Sequence, residues 1–437
     1  MFFIAQRSSA ARRFGAAIAM FCFLTCAAMA QGLPRAKSPE EVGMSSERLK
    51  RLTETFKAEI AKGTTPGAVL LVARRGKVAY YEAMGARDPQ ANDAMPPDAI
   101  FRLASMTKPF VSVVTMMLAE EGRLVLTDPV SQYLPEFKGL QVGVEQKDAS
   151  GASKLVLEPA RREMTIQDLL RHTAGLTYGQ FGAMTPVKAA YLKAEMTSQE
   201  LTTAEFIARL AKLPLAHQPG STWDYSVATD VLGRVLEVIN GQDLDTIIRE
   251  RISKPLKLTD AGFSVPAANH ARIAESHMDK ATGQRIVTRD IRVPPKRFGG
   301  GGGMVATASD YVRFCQMMLN GGELDGVRIL SKHSVAFMTA NHLPADIAYI
   351  IPSSLHGAAT PSPAVGQGWG LGYVVRTEHG KNPLPGSVGE YYWNGAFGTA
   401  FWVDPKEQLI AIMMVQAPAQ QRLRGLMRSL VYQAITG

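Results

Sequence analysis

Cysteine is nearly missing from this chain of 437 residues: there are three, and Cys22 and Cys26 fall in the first 30 residues. Cys315, set among Phe314, Met317 and Met318, reads as a small buried hydrophobe. A disulfide framework is therefore excluded, and stability must come from a large apolar core. Among the eight histidines no H-E-x-x-H or other paired ligand spacing occurs, so no metal site is implied. There is no G-x-S-x-G elbow, which argues against an α/β-hydrolase. Gly299–Gly303 and the series Gly366, Gly368, Gly370, Gly372 lack the G-x-G-x-x-G pattern and a following Lys-Ser/Thr. They read as strand and turn glycines rather than phosphate cradles. No basic run is interleaved with aromatics, which removes the usual footprint of nucleic-acid binding.

What is present begins with an export signal. Residues 1–30 carry Arg7, Arg12 and Arg13 without an acid, then an apolar stretch from Phe14 to Cys26, then Ala28-Met29-Ala30 before Gln31. The stretch is too short for a membrane span, and the A-x-A ending predicts cleavage near Ala30. Losing three arginines takes the formal charge from +9 to +6, a modestly basic mature protein. Cys26 is poorly placed for a lipid anchor, so a periplasmic or secreted soluble product is expected. Arg12-Arg13 leaves twin-arginine export open.

Hydrophobic patterning then divides the chain. Ser45 or Ser46 caps a helix running to about Ala61, and apolar runs at 68–73 and 78–83 around Arg74-Arg75-Gly76-Lys77 predict a β-hairpin. Helices are predicted at 109–120, 165–172, 203–212, 227–240 and 308–320. Strands follow at 371–376, 387–393, 398–404 and 408–415, with a closing helix at 421–435. Two stretches, 139–163 and 344–366, read as long loops. The expected fold is an antiparallel sheet flanked by helices, built from both ends of the chain (about 31–100 and 328–437). A mainly helical middle (about 101–327) packs against it.

The stretch Phe101-Arg-Leu-Ala-Ser-Met-Thr-Lys-Pro-Phe110 organises the rest. Ser105 falls at a helix start, Pro109 is tolerated only in a first turn, and the run after it reads as a buried helix. At i, i+3, Ser105 and Lys108 share one face. A serine hydroxyl needs a base to become a nucleophile, and lysine serves only if its surroundings lower its pKa. Further on, Pro219-Gly220 breaks the chain and Tyr225 precedes a helix, placed to project into a cleft. Near the C-terminus, Tyr391-Tyr392-Trp393-Asn394-Gly395-Ala396 is an apolar strand interrupted by Gly395, a mark of a bulge or of close backbone approach.

Taken in order, Ser105-Met-Thr-Lys108, Tyr225-Ser226-Val227 and Trp393-Asn394-Gly395 resemble the motifs of serine β-lactamase and penicillin-binding-protein-like hydrolases. They are most similar to the class C-like branch with the family VIII carboxylesterases. Supporting stretches are Thr165–Leu176, Gly300-Gly-Gly-Gly-Met304, Gly322–Gly326 and Phe401-Trp-Val-Asp-Pro405, so the similarity runs from about residue 40 to the end. The resemblance implies one β-lactamase-related catalytic domain over 31–437, a covalent acyl-Ser105 intermediate and no cofactor. Lys108 and Tyr225 would be the base network, with Lys108 activating Ser105 and Tyr225 passing the proton to the leaving alcohol. The backbone N–H groups of Ser105 and Ala396 would form the oxyanion hole, with Trp393, Asn394 and Gly395 against the substrate.

Two departures shape the expected substrate. Val227 stands where the lactamases and peptidases usually carry Asn, and Trp393 where they carry Lys or His. The site loses two polar handles and gains an apolar wall, which favours small uncharged carboxylic esters. β-Lactamase or D-alanyl-D-alanine carboxypeptidase activity, acyl transfer, and a non-catalytic binding role remain alternatives.

Overall fold

The computed structural model describes residues 32–437 apart from 92, 148, 150–152, 197, 199, 280, 351–360 and 419. The predicted export signal at 1–30 and part of the predicted 344–366 loop lie outside the described residues.

The helices are α1 (Ser46–Ala61), α2 (Lys108–Glu120), α3 (Ile166–Leu170), α4 (Pro186–Lys193), α5 (Thr203–Leu210) and α6 (Ala228–Asn240). They continue with α7 (Leu244–Ile248), α8 (Ala308–Leu319), α9 (Lys332–Met338) and α10 (Gln421–Tyr432). Ser45, read as a cap in the sequence, accepts from the Arg48 N–H, and Thr165 and Thr202 complete capping boxes that set the starts of α3 and α5.

The strands are β1 (Gly67–Arg74), β2 (Lys77–Asp88), β3 (Asp93–Ala94), β4 (Phe101–Arg102), β5 (Gln141–Lys147), β6 (Ser153–Pro159), β7 (Thr222–Trp223) and β8 (Val305–Ala306). Then come β9 (Glu323–Leu324), β10 (Val327–Arg328), β11 (Ala348–Tyr349), β12 (Gln367–Trp369), β13 (Val374–Arg376), β14 (Tyr391–Asn394), β15 (Ala400–Asp404) and β16 (Leu409–Met414). Eight of them form one antiparallel sheet in the order β12-β13-β14-β15-β16-β1-β2-β3. Val69 of β1 faces Met414 of β16, joining the two ends of the chain at the sheet centre. Every residue of β1 and β16 is buried, which requires cover on both faces. α8 lies across β1, β15 and β16, while α1 packs with α10.

Two sequence readings change. The segment read as a loop over 139–163 is largely the β5–β6 hairpin, paired from Gln141–Pro159 to Lys147–Ser153. Its polar outer face hid the strand pattern: Val142 is buried, but Glu145, Gln146 and Lys147 are exposed. The strand containing Trp393 ends at Asn394, so Gly395 opens a turn rather than a bulge. Cys315 is buried in the core as expected. No helix among the described residues is long and apolar enough to cross a membrane.

Candidate active site

The chain reaches Ser105 through β4, which pairs with β8, and Leu103 N–H then donates to Met304 O at 2.9 Å. Ala104 follows with φ 47°, a left-handed conformation rare for alanine. Such strain persists only where the surroundings over-determine it. Ser105 sits in a single 3₁₀ turn, Ala104–Thr107, that runs into α2 with Pro109 in its first turn. Tyr311 OH donates to Met106 O at 3.0 Å, and Thr107 Oγ1 accepts from Met304 N–H at 3.0 Å, fixing the turn from beneath.

Lys108, 1% exposed, lies under the serine. Its Nζ donates to Gly301 O at 2.6 Å, Tyr178 OH at 3.3 Å and Ser105 Oγ at 3.4 Å. It also lies 4.7 Å from the Tyr225 ring centroid. Burial pulls this amine down, but the Tyr178 and Tyr225 phenols and the Asp230 carboxylate outweigh it and hold its pKa above the ordinary lysine value. That is opposite in direction to what a neutral lysine base needs. Burial, reinforced by Asp230 and Tyr225, keeps the Tyr178 phenol above its ordinary value despite Lys108.

Tyr225 stands in an aromatic cage. Ring centroids lie 4.8 Å away at His172, 5.2 Å at Trp393 and 5.5 Å at Tyr178. Trp393 Nε1 donates to Tyr225 OH at 3.3 Å. His172 Nδ1 accepts from Ser226 N–H at 3.3 Å, tying the residue after Tyr225 in place. Burial and then Lys108 push His172 well below its ordinary pKa, so it is a neutral buttress.

β14 brings its end against the nucleophile turn. A Cβ on Gly395 would meet Thr399 Oγ1 at 2.1 Å and Leu103 O at 2.3 Å, so close backbone approach is the reason for glycine here. Thr399 Oγ1 donates to Leu103 O at 3.0 Å, stitching the two segments together. As the second residue of its turn, Ser105 has an N–H without an intrahelical acceptor.

Ser105, Tyr225, Trp393, Asn394, Gly395 and Ala396 all line one cavity of about 840 Å³, with Lys108 beneath. Sequence reading missed Tyr178, Gly301 and Asp230. Tyr178 reaches Lys108, Gly301 supplies the carbonyl that holds it, and Asp230 Oδ1 accepts from Gly301 N–H at 3.2 Å. Gly299–Gly303 is a turn, as read, but one that faces the cavity.

A serine beside a buried lysine and two phenols, at the end of an inner strand of an antiparallel sheet with helical cover, defines a serine hydrolase of the β-lactamase fold. The chain belongs to the Beta-lactamase family, which it matches over residues 52–434. It is 38% identical over 366 residues to Protein Rv1367c of Mycobacterium tuberculosis, covering 81% of this chain and 86% of that protein. It is 29% identical to Esterase EstB of Burkholderia gladioli, covering 86% and 92%. The solved structure of EstCE1, a hydrolase with promiscuous acyltransferase activity, superposes with TM-score 0.71 at 26% identity, over 88% of this chain and 98% of that one. The relatives place this protein among hydrolases and acyltransferases of that fold.

Proposed function

We propose that this protein is an exported serine carboxylesterase that cleaves small carboxylic esters through a covalent acyl-Ser105 intermediate. The observation that carries the reading is Ser105 Oγ 3.4 Å from an ammonium that two phenols share. Trp393, not a cation, occupies the third-motif position in the cavity lining. Lys108 and Tyr225 act as one base: the pair enters the step short of one proton, takes the serine proton and shares it between amine and phenol.

Ser105 Oγ bonds to the ester carbonyl carbon while its proton moves to the Lys108–Tyr225 pair. The oxyanion rests on the N–H groups of Ser105 and Ala396. Collapse breaks the carbon–alkoxide bond, and Tyr225 returns the proton to the departing alcohol. Water then enters by the reverse path and releases the acid and free Ser105.

Acyl transfer to a second alcohol is the variant reading, supported by the promiscuous acyltransferase activity of EstCE1. It shares every step up to the acyl-enzyme. The test is turnover of short p-nitrophenyl esters and nitrocefin by wild type and Ser105→Ala, with fluorophosphonate labelling. Ester cleavage lost in Ser105→Ala, with little nitrocefin turnover, supports the proposal. Nitrocefin turnover above ester turnover favours a β-lactamase, and an unlabelled Ser105 favours a non-catalytic role. Acylated product with an added alcohol identifies transfer. Export rests on the composition of residues 1–30, and cell fractionation with N-terminal sequencing near Gln31 checks it.

A further inference from the structure

Four arginines, Arg102, Arg289, Arg297 and Arg424, line the catalytic cavity, and among the described lining residues Asp230 is the one carboxylate. That carboxylate already accepts from Gly301 N–H. Elsewhere, buried arginines such as Arg74, Arg376 and Arg428 are ion-paired. The four cavity arginines form no ion pair among the described residues and spend their N–H groups on backbone carbonyls. Arg102 holds Arg289 O and Ala274 O, Arg289 holds Phe263 O and Gly303 O, Arg297 holds Ser198 O, and Arg424 holds Gly395 O. Carbonyls orient a guanidinium without neutralising it. The acids near Arg102 and Arg289, Glu275 and Asp290, are engaged by Arg285 and Arg292.

Arg289 is the best-placed anchor. Its Nη2 donates to Phe263 O and to Gly303 O, both at 2.8 Å, while its Nη1 is buried without a partner. Gly303 adjoins Met304, whose carbonyl takes the Leu103 N–H just before the nucleophile turn. Arg102 Nε donates to the Arg289 main-chain carbonyl at 2.9 Å, so two arginines meet at this part of the lining. Burial, with Arg102 adding to it, pushes the Arg289 guanidinium down to about 10, the response of a cation short of a counter-charge. This is the glycine-turn side of Ser105. The leaving alcohol must lie near its proton donor, Tyr225, next to Trp393, which leaves the glycine-turn side to the acyl group.

We infer that the preferred ester carries an anionic group, a second carboxylate, on its acyl part, held by Arg289 with Arg102 nearby. The inference rests on the esterase reading and narrows its substrate class. Positive charge that the third motif lacks, with Trp393 in place of a cation, is supplied elsewhere in the cavity lining. An anion there would complete charge-assisted hydrogen bonds that the protein leaves open.

The experiment compares kcat/KM for mono-p-nitrophenyl glutarate and p-nitrophenyl butyrate in wild type, Arg289→Gln and Arg289→Lys. Wild type should prefer the anionic ester by about tenfold or more, less so at high ionic strength. Arg289→Gln should erase most of that preference through KM for the anionic ester, and Arg289→Lys should retain part of it. Free glutarate should competitively inhibit butyrate hydrolysis by wild type where glutaramide does not, a readout independent of any variant's folding. Equal turnover of both esters by wild type, or equal losses on both in Arg289→Gln, overturns the inference. So does a preference for 4-acetoxybenzoate, whose carboxylate is on the leaving group. Failure to cleave any ester, with Ser105 unlabelled, instead overturns the esterase reading beneath it.

Discussion

The Lys108 ammonium donates to the Gly301 carbonyl at 2.6 Å and reaches Ser105 Oγ at only 3.4 Å. The backbone fixes the cation, and the serine engages it lightly. Lys108→Met should lower kcat by about 10²–10⁴-fold, and Lys108→Arg should not rescue it, because a planar fork cannot occupy a site shaped for an ammonium. Steady-state ester hydrolysis with circular dichroism to confirm folding checks both.

The two phenols should separate in function. Tyr225 lines the cavity and carries the Trp393 hydrogen bond. Tyr178 meets Lys108 from a buried position. Tyr225→Phe should cost about 10²-fold or more in kcat. Tyr178→Phe should cost less and shift the alkaline limb of the pH–rate profile, since it removes a partner that keeps Lys108 charged.

Gly395→Ala places a methyl 2.1 Å from Thr399 Oγ1 and 2.3 Å from Leu103 O. The turn carrying Ala396 must then withdraw from Ser105. kcat should fall by about 10²-fold, as when one oxyanion donor is lost, while fluorophosphonate labelling slows and far-ultraviolet circular dichroism stays unchanged.

How much of this was legible in the sequence depends on how local each feature is. Ser105 and Lys108 are one helical turn apart, and side-chain spacing alone places them together. Tyr225 and Trp393 were recoverable through motif order, although nothing local says that an indole N–H will meet a phenol 168 residues away. Tyr178 follows Leu176 closely, yet an isolated tyrosine gives no sign that it will reach Lys108. Gly301 acts through its carbonyl, which no side-chain pattern reports. Asp230 and Arg289 acquire meaning only from what surrounds them. The β5–β6 hairpin escaped notice because its short apolar runs are interrupted by charged residues, Gln and Gly, so no sustained alternation shows. β12 escaped because Gln367-Gly368-Trp369 carries a glycine where Asn341 Oδ1 would meet a Cβ at 2.2 Å.

Asp310 gives a pH-dependent stability. Burial, with Asp260 adding to it, raises its carboxyl from 3.8 to about 7 against the hydrogen bonds from Asp260 and Thr259 N–H. The folded protein therefore binds this proton more tightly than the unfolded chain. The resulting stabilisation is complete below about pH 4 and is lost as pH rises through about 7. Asp310→Asn should flatten the thermal-stability profile between pH 4 and 8, measured by differential scanning calorimetry. Asp168 works in the opposite sense. Despite burial, Arg162 and the Thr165 N–H hold its carboxyl below the usual range, so its contribution is lost as pH falls through the folded value. Asp168→Ala, which removes the buried acceptor shared by Arg162, Arg171 and Thr173, should cost about 1–3 kcal/mol in urea unfolding.

The pairing of Val69 with Met414 sets the order of events in the life of the chain. Ser105 and Lys108 are synthesised early, but β14 and the Gly395–Ala396 turn join the N-terminal strands of the sheet only through β15 and β16. A truncated chain ending before residue 409 carries the nucleophile, its lysine and β14, yet lacks the strand that docks β14 and β15 onto β1. Such a chain is expected to show no ester hydrolysis, with activity arising only once the two ends have met.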